Sequence, residues 1–214
     1  MKACIFDLDG VLVDTAKYHF IAWQRLASNL HVEFTEQDNE QLKGLSRDAS
    51  LDYILNKGKI SASTSEKEVW KEQKNNWYLE LVNTMQADEV LPNCKELLRD
   101  LKSNDVKVGL GSASKNASLI LSRVDIKHYF DVIIDGTVTS KSKPDPEVFL
   151  LGAKALGLTP AECIVFEDAI NGVKAAKTGG FKTIGIGEKE VLTEADLVFP
   201  DLSSLSFEVL NSLV

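Results

Sequence analysis

The chain is poor in cysteine, has no long apolar run and carries no excess of positive charge, and each shortage narrows what it can be. Its three cysteines in 214 residues, Cys4, Cys94 and Cys163, are odd in number and form no CxxC pair. Cys4 and Cys163 sit in apolar, strand-like runs, so reduced buried thiols are expected instead of a disulfide framework. No apolar stretch approaches the length of a bilayer span. Lys and Arg number 24 against 32 Asp and Glu, a formal net charge of -8, which argues against non-specific binding to nucleic acid or acidic membrane surfaces. Met1-Lys2 runs directly into an apolar stretch ending in two acids, so no secretory leader is expected and a cytoplasmic location is. Nothing in the sequence requires a dimer, and a monomer is expected.

What is present is alternation. From Val106 onward short β-rich runs (VKVGLGS, DVIID, CIVFED, KTIGIG, LVF) alternate with amphipathic helical ones (NASLILSRV, PEVFLLGAKALG, INGVKAAKTGG). With ACIFDLD at the start, the pattern predicts an α/β fold: a Rossmann-like parallel sheet with helices on both faces. Residues from about Thr15 to Glu89 read as helices only, and Pro92 marks the return of the chain. An inserted all-helical cap over residues 15–90 is therefore expected, with 1–14 and 91–214 forming the core.

Chemistry in such sheets collects at the carboxyl ends of the strands. FDLDG places Asp7 and Asp9 there, and the alternation of a strand points both to the same side. Either the motif is a polar turn with Gly10 at positive φ, or one carboxylate attacks phosphorus while the other moves a proton. Ser112 ends VKVGLG; Ser114 would serve as a helix cap, and the N–H groups around it would suit a phosphate. Lys143 in KSKPDPEVF is either solvated before a helix capped by Asp145 and opened by Pro146, or a charge set against a transferring phosphoryl group. Lys141 is its neighbouring competitor. Glu167 and Asp168 close CIVFED, where Asp168 could cap the next helix or the pair could supply hard oxygen ligands to Mg²⁺.

Taken together, FDLDG, the serine of GLGSAS, the lysine of SKPDP and the acidic pair of FEDAING resemble the four motifs of the haloacid dehalogenase-like superfamily. The resemblance implies that Asp7 is a nucleophile and Asp9 a general acid/base. It also implies Mg²⁺ held by the Asp7 carboxylate, the Asp9 backbone carbonyl and Glu167 with Asp168. The cap stretches DTAKYHFIAW, QLKGLSRDASL and QKNNWY, together with GSASKNA in the core, are similar to those of the superfamily's hexose-phosphate mutases. That similarity implies small-molecule sugar phosphates as substrates and β-glucose 1,6-bisphosphate as activator and intermediate. Thr15, His19 and Lys74 would then position Asp9. Trp23 and the loop Lys43, Gly44, Leu45, Ser46 and Arg47 would line the sugar site. Arg47 with Ala113, Ser114, Lys115 and Asn116 would hold the phosphate at rest, and Ser112 and Lys143 the one transferred. A Mg²⁺-dependent sugar-phosphate phosphatase would share every core residue. Without the resemblance, His19 and Trp23 one turn apart would read as packing, Lys43-Gly44 as a helix ending, and Ser46 as a cap for RDASLDYIL.

Overall fold

The computed structural model describes residues 1–42 and 45–212. At its centre β1 (Ala3–Phe6), β2 (Lys107–Gly111), β3 (Val132–Ile134), β4 (Cys163–Glu167), β5 (Lys182–Ile186) and β6 (Leu197–Phe199) form one sheet in the order β3-β2-β1-β4-β5-β6. Every pairing is parallel. The strands are continuous apolar runs because both faces of a parallel sheet are covered. Their side chains divide by the two-residue period: Cys4 and Phe6 pack on one face with Val108, Leu110 and Phe166, and Ala3 and Ile5 on the other with Val165, Phe149 and Ala175. The three cysteines are free and buried, as expected.

Between β1 and β2 stand α1 (Ala16–Asn29), α2 (Glu36–Gln41), α3 (Arg47–Lys57) and α4 (Thr64–Val82). Their starts are written locally. Thr35 with Asp38, and Ser63 with Glu66, form capping boxes, and Ser46 Oγ accepts the Ala49 N–H at 3.3 Å as the cap of α3. This block has an apolar centre of its own, built on Trp23, Leu26, Phe34, Leu51 and Ile54. The two chain segments joining it to the sheet run side by side. Val13 pairs with Val90, the Leu91 N–H donates to Leu12 O at 2.9 Å, and the Tyr18 hydroxyl donates to Glu89 at 2.6 Å.

The remaining helices are α5 (Cys94–Ser103), α6 (Ala117–Arg123), α7 (Glu147–Ala155), α8 (Ile170–Thr178) and α9 (Phe207–Ser212). The alternation taken up at Val106 misses α5, although its buried stripe of Leu97, Leu98 and Leu101 carries a helical period.

Candidate active site

β1 stops at Phe6, and the Asp7 N–H still donates to Phe166 O at 2.9 Å, so Asp7 leaves the sheet at its carboxyl edge. The chain then turns, with Gly10 at φ +79°. Because the strand has ended, the alternation that would set Asp7 and Asp9 side by side no longer governs. Asp7 Oδ1 accepts from Lys143 Nζ at 2.5 Å and Oδ2 accepts the Asp9 N–H at 3.1 Å. The Asp9 carboxylate turns instead onto the Thr15 hydroxyl. Each acid thus has its own side-chain donor, and both line the same cleft. Burial, and next the Asp7 charge, push the Asp9 carboxyl up to about 7.

Lys143 is 3 % exposed and bridges Asp7 and Glu167. Burial alone would lower its pKa, but the two carboxylates outweigh that and hold it above the usual lysine value. Lys141 is exposed and pairs with Asp145 at 3.1 Å, while also lining the cleft. Ser112 is buried at the end of β2, where its Oγ accepts the Ser114 N–H at 3.1 Å. Ser114 Oγ in turn accepts the Asn116 N–H at 3.2 Å, and Asn116, not Ser114, is the residue before α6. At the start of α7 the capping position is Pro146, while Asp145 accepts the Glu147 N–H at 3.0 Å.

Two expectations for the acidic pair change. Glu167 is fully buried and commits both oxygens, Oε1 to Lys143 and Oε2 to the Ala169 N–H at 2.8 Å. It therefore holds the lysine in place, and it is not among the residues lining the cleft. Asp168 is not the cap of α8, whose preceding residue is Ala169. Asp168 lines the cleft, and its carboxylate lies so close to Gly10 that a Cβ there would overlap it. Among the described residues no three His, Cys, Asp or Glu side chains converge as a metal cage. Two carboxylates beside the Asp9–Gly10 backbone nevertheless suit Mg²⁺, which takes one or two carboxylates and completes its shell with water and substrate phosphate. Asp7, Asp168 and the Asp9 carbonyl are the groups that would hold it.

The helical block roofs this edge and encloses a cleft of about 420 Å³. His19 Nδ1 and Lys74 Nζ are 3.0 Å apart, and Lys74 lies 4.5 Å from the Trp23 ring centre and 4.6 Å from that of Tyr78. Burial, and secondly the cation on Arg47, drive the Lys74 pKa far down; burial, then Lys74 and Arg47, do the same to His19. Leu45, Ser46, Arg47, Ala113, Ser114, Lys115 and Asn116 also line the cleft. Thr15 is buried and donates its hydroxyl to Asp9. Lys43 and Gly44 fall outside the described residues. Sequence reading missed Asn75 and Tyr78, which also line the cleft; Tyr78 follows Lys74 by four residues on α4, the spacing of one helix face, and that was the available signal.

Known proteins carry the same arrangement. Residues 1–180 match the haloacid dehalogenase-like hydrolase family. The β-phosphoglucomutase of Bacillus subtilis is 41 % identical over 213 residues, spanning 99 % of this chain and 94 % of that protein. A phosphorylated-carbohydrates phosphatase of Thermotoga maritima is 32 % identical, over 92 % of this chain and 93 % of its own. The crystal structure of β-phosphoglucomutase from Clostridium difficile superposes with a TM-score of 0.95 at 43 % identity, covering 99 % of this chain and 96 % of that one. With its four motifs gathered at one sheet edge under a helical cap, the chain belongs to the haloacid dehalogenase-like hydrolase family.

Proposed function

We propose that this protein interconverts β-glucose 1-phosphate and glucose 6-phosphate through β-glucose 1,6-bisphosphate, with residues 1–14 and 91–214 as catalytic core and 15–90 as cap. The observation that supports the reading is one cleft lined both by Asp7, Ser112 and Lys143 and by Arg47, Lys115 and Asn116, side chains that could bind a phosphate at either end of a substrate. A mutase must hold a phosphate at both ends of its substrate, whereas hydrolysis of a monophosphate needs only the first. The B. subtilis and C. difficile relatives support the same choice.

Asp7 would attack phosphorus through a carboxylate oxygen, giving an acyl phosphate and releasing the sugar oxygen. Lys143, held by Glu167, offsets the charge gathering on the phosphoryl oxygens. Mg²⁺ bound by Asp7, Asp168 and the Asp9 carbonyl would supply further charge neutralisation at the same oxygens. Asp9 is placed to give a proton to the departing oxygen and to take one from the incoming hydroxyl. Its bond to Thr15, at the foot of α1, ties that carboxylate to the segment on which the cap turns. Cap closure then excludes water, so the acyl phosphate meets a sugar hydroxyl in preference to solvent. The bisphosphate turns end for end, and Arg47, Lys115 and Asn116 receive the phosphate that is not reacting. A receiver-type phosphate acceptor would leave Asp9 and the roofed cleft without a task.

The test supplies Mg²⁺, β-glucose 1-phosphate and a trace of β-glucose 1,6-bisphosphate, and follows glucose 6-phosphate and free phosphate separately. Glucose 6-phosphate should form much faster. Free phosphate in excess would move the protein to the sugar-phosphate phosphatases.

A further inference from the structure

Asn75 of α4 is the point where the two walls of the cleft meet. Its Oδ1 accepts from Arg47 Nη2 at 2.7 Å, on the cap, and from Asn116 Nδ2 at 2.9 Å, on the core. Both neighbours are donors, so the carboxamide must present its oxygen to them. One half-buried oxygen thereby gathers the donors that the mutase reading assigns to the resting phosphate.

We propose that Asn75 is a positioning residue whose carboxamide oxygen stands in for a phosphate oxygen between Arg47 and Asn116, aligning both donors until substrate displaces it. The inference rests on the two-phosphate reading and extends it: it names what keeps the second site assembled before a ligand arrives. A guanidinium prefers an anionic acceptor to a neutral one. A phosphate therefore takes Arg47 from an amide oxygen readily, and the exchange leaves neither donor unpaired at any stage. Its two bonds join α3 and α4 of the cap to the residue that opens α6 of the core.

The consequence is an inverted order of tolerance. Were Asn75 merely part of the packing between helices, the isosteric Asn75→Asp would be milder than Asn75→Ala. As a phosphate surrogate, Asn75→Asp places a carboxylate on Arg47 that the incoming phosphate must displace against like charge. KM for β-glucose 1-phosphate should then be at least about tenfold higher in Asn75→Asp than in Asn75→Ala. In Asn75→Asp, kcat at saturating substrate should change by less than about threefold, since the effect is spent in binding. Equal KM values for the two variants, within about twofold, or the reverse order, would overturn the inference.

A second measurement needs no variant. The side-chain amide resonances of Asn75 and Asn116 should move when glucose 6-phosphate is added and stay in place with glucose; no movement with the phosphate sinks the proposal. Arg47→Ala in the same assay separates the two levels. If it raises KM while Asn75→Asp does not, only the role of Asn75 fails. If Arg47→Ala itself leaves KM and turnover untouched, the two-phosphate reading fails and takes this inference with it.

Discussion

The ammonium of Lys143 lies 2.5 Å from Asp7 Oδ1 and is shared with Glu167, so one buried cation stands between two buried carboxylates from β1's exit and β4's end. Removing it would strand both acids in a site with little water. Lys143→Met should lower turnover at least about a hundredfold, through the lost charge on the phosphoryl group. It should also destabilise the fold by about 3 kcal/mol, the usual cost of breaking a buried ion pair from one side. Chemical denaturation and initial rates on the same preparation check both. Lys141→Met, by contrast, breaks an exposed pair with Asp145 and should leave stability nearly as it is.

Asp7 and Asp9 have different partners and should fail differently. Asp7→Asn has no nucleophile, so intact mass spectrometry after mixing with the bisphosphate should show no phosphoryl adduct. Asp9→Asn keeps the nucleophile and loses the proton carrier. Transfer between Asp7 and the sugar should slow by about 10² to 10⁴ in that variant. Rapid-quench kinetics would read this, and full-speed transfer in Asp9→Asn would end the assignment of Asp9 as general acid/base.

Much of this was legible along the chain. The parallel sheet announced itself in apolar runs such as ACIF and CIVFE, which only a sheet covered on both faces can bury. The helical insertion was legible in the change of period after Asp14, and Ser46 in its capping role. Orientation was less so. That Glu167 bonds Lys143, and that Asp9 takes the Thr15 hydroxyl, depends on where β1 stops and on a residue six positions away. Asn75 lay inside the quoted stretch QKNNWY, but its role was not legible there: its partners lie 28 and 41 residues off.

Gly10 joins two requirements in one residue. Its φ of +79° favours glycine, and any Cβ would run into the Asp168 carboxylate. Gly10→Ala should therefore displace Asp168 from the position proposed for the metal. The Mg²⁺ concentration giving half-maximal rate should rise about ten- to a hundredfold, the range found when groups that orient metal ligands are lost. Chelation with EDTA should abolish turnover of the parent protein and excess Mg²⁺ restore it. An unchanged Mg²⁺ requirement in Gly10→Ala would show that Asp168 does not hold the ion.

The last prediction concerns the cap's own stability. Asp38 Oδ2 accepts from the Thr35 N–H at 2.7 Å, the Thr35 hydroxyl at 2.8 Å and Lys57 at 2.5 Å, while Oδ1 accepts from Tyr53 at 2.9 Å. Burial would raise the carboxyl's pKa, but these donors, Lys57 foremost, outweigh it and hold it well below the usual carboxylate range. A pKa lower in the folded than in the unfolded chain means that the unfolded chain takes up the proton first on acidification. The stabilisation is thus complete above the unfolded value of about 4 and is lost as pH falls below it toward the folded value. Asp38→Asn should cost about 1–2 kcal/mol at pH 7, as loss of a charged cap and its hydrogen bonds does. Denaturation followed at several pH values should show that gap constant from neutrality down to about pH 5 and closing below about pH 4. A gap that persists into strong acid would mean that shape, and not the charge of Asp38, holds α2 against α3.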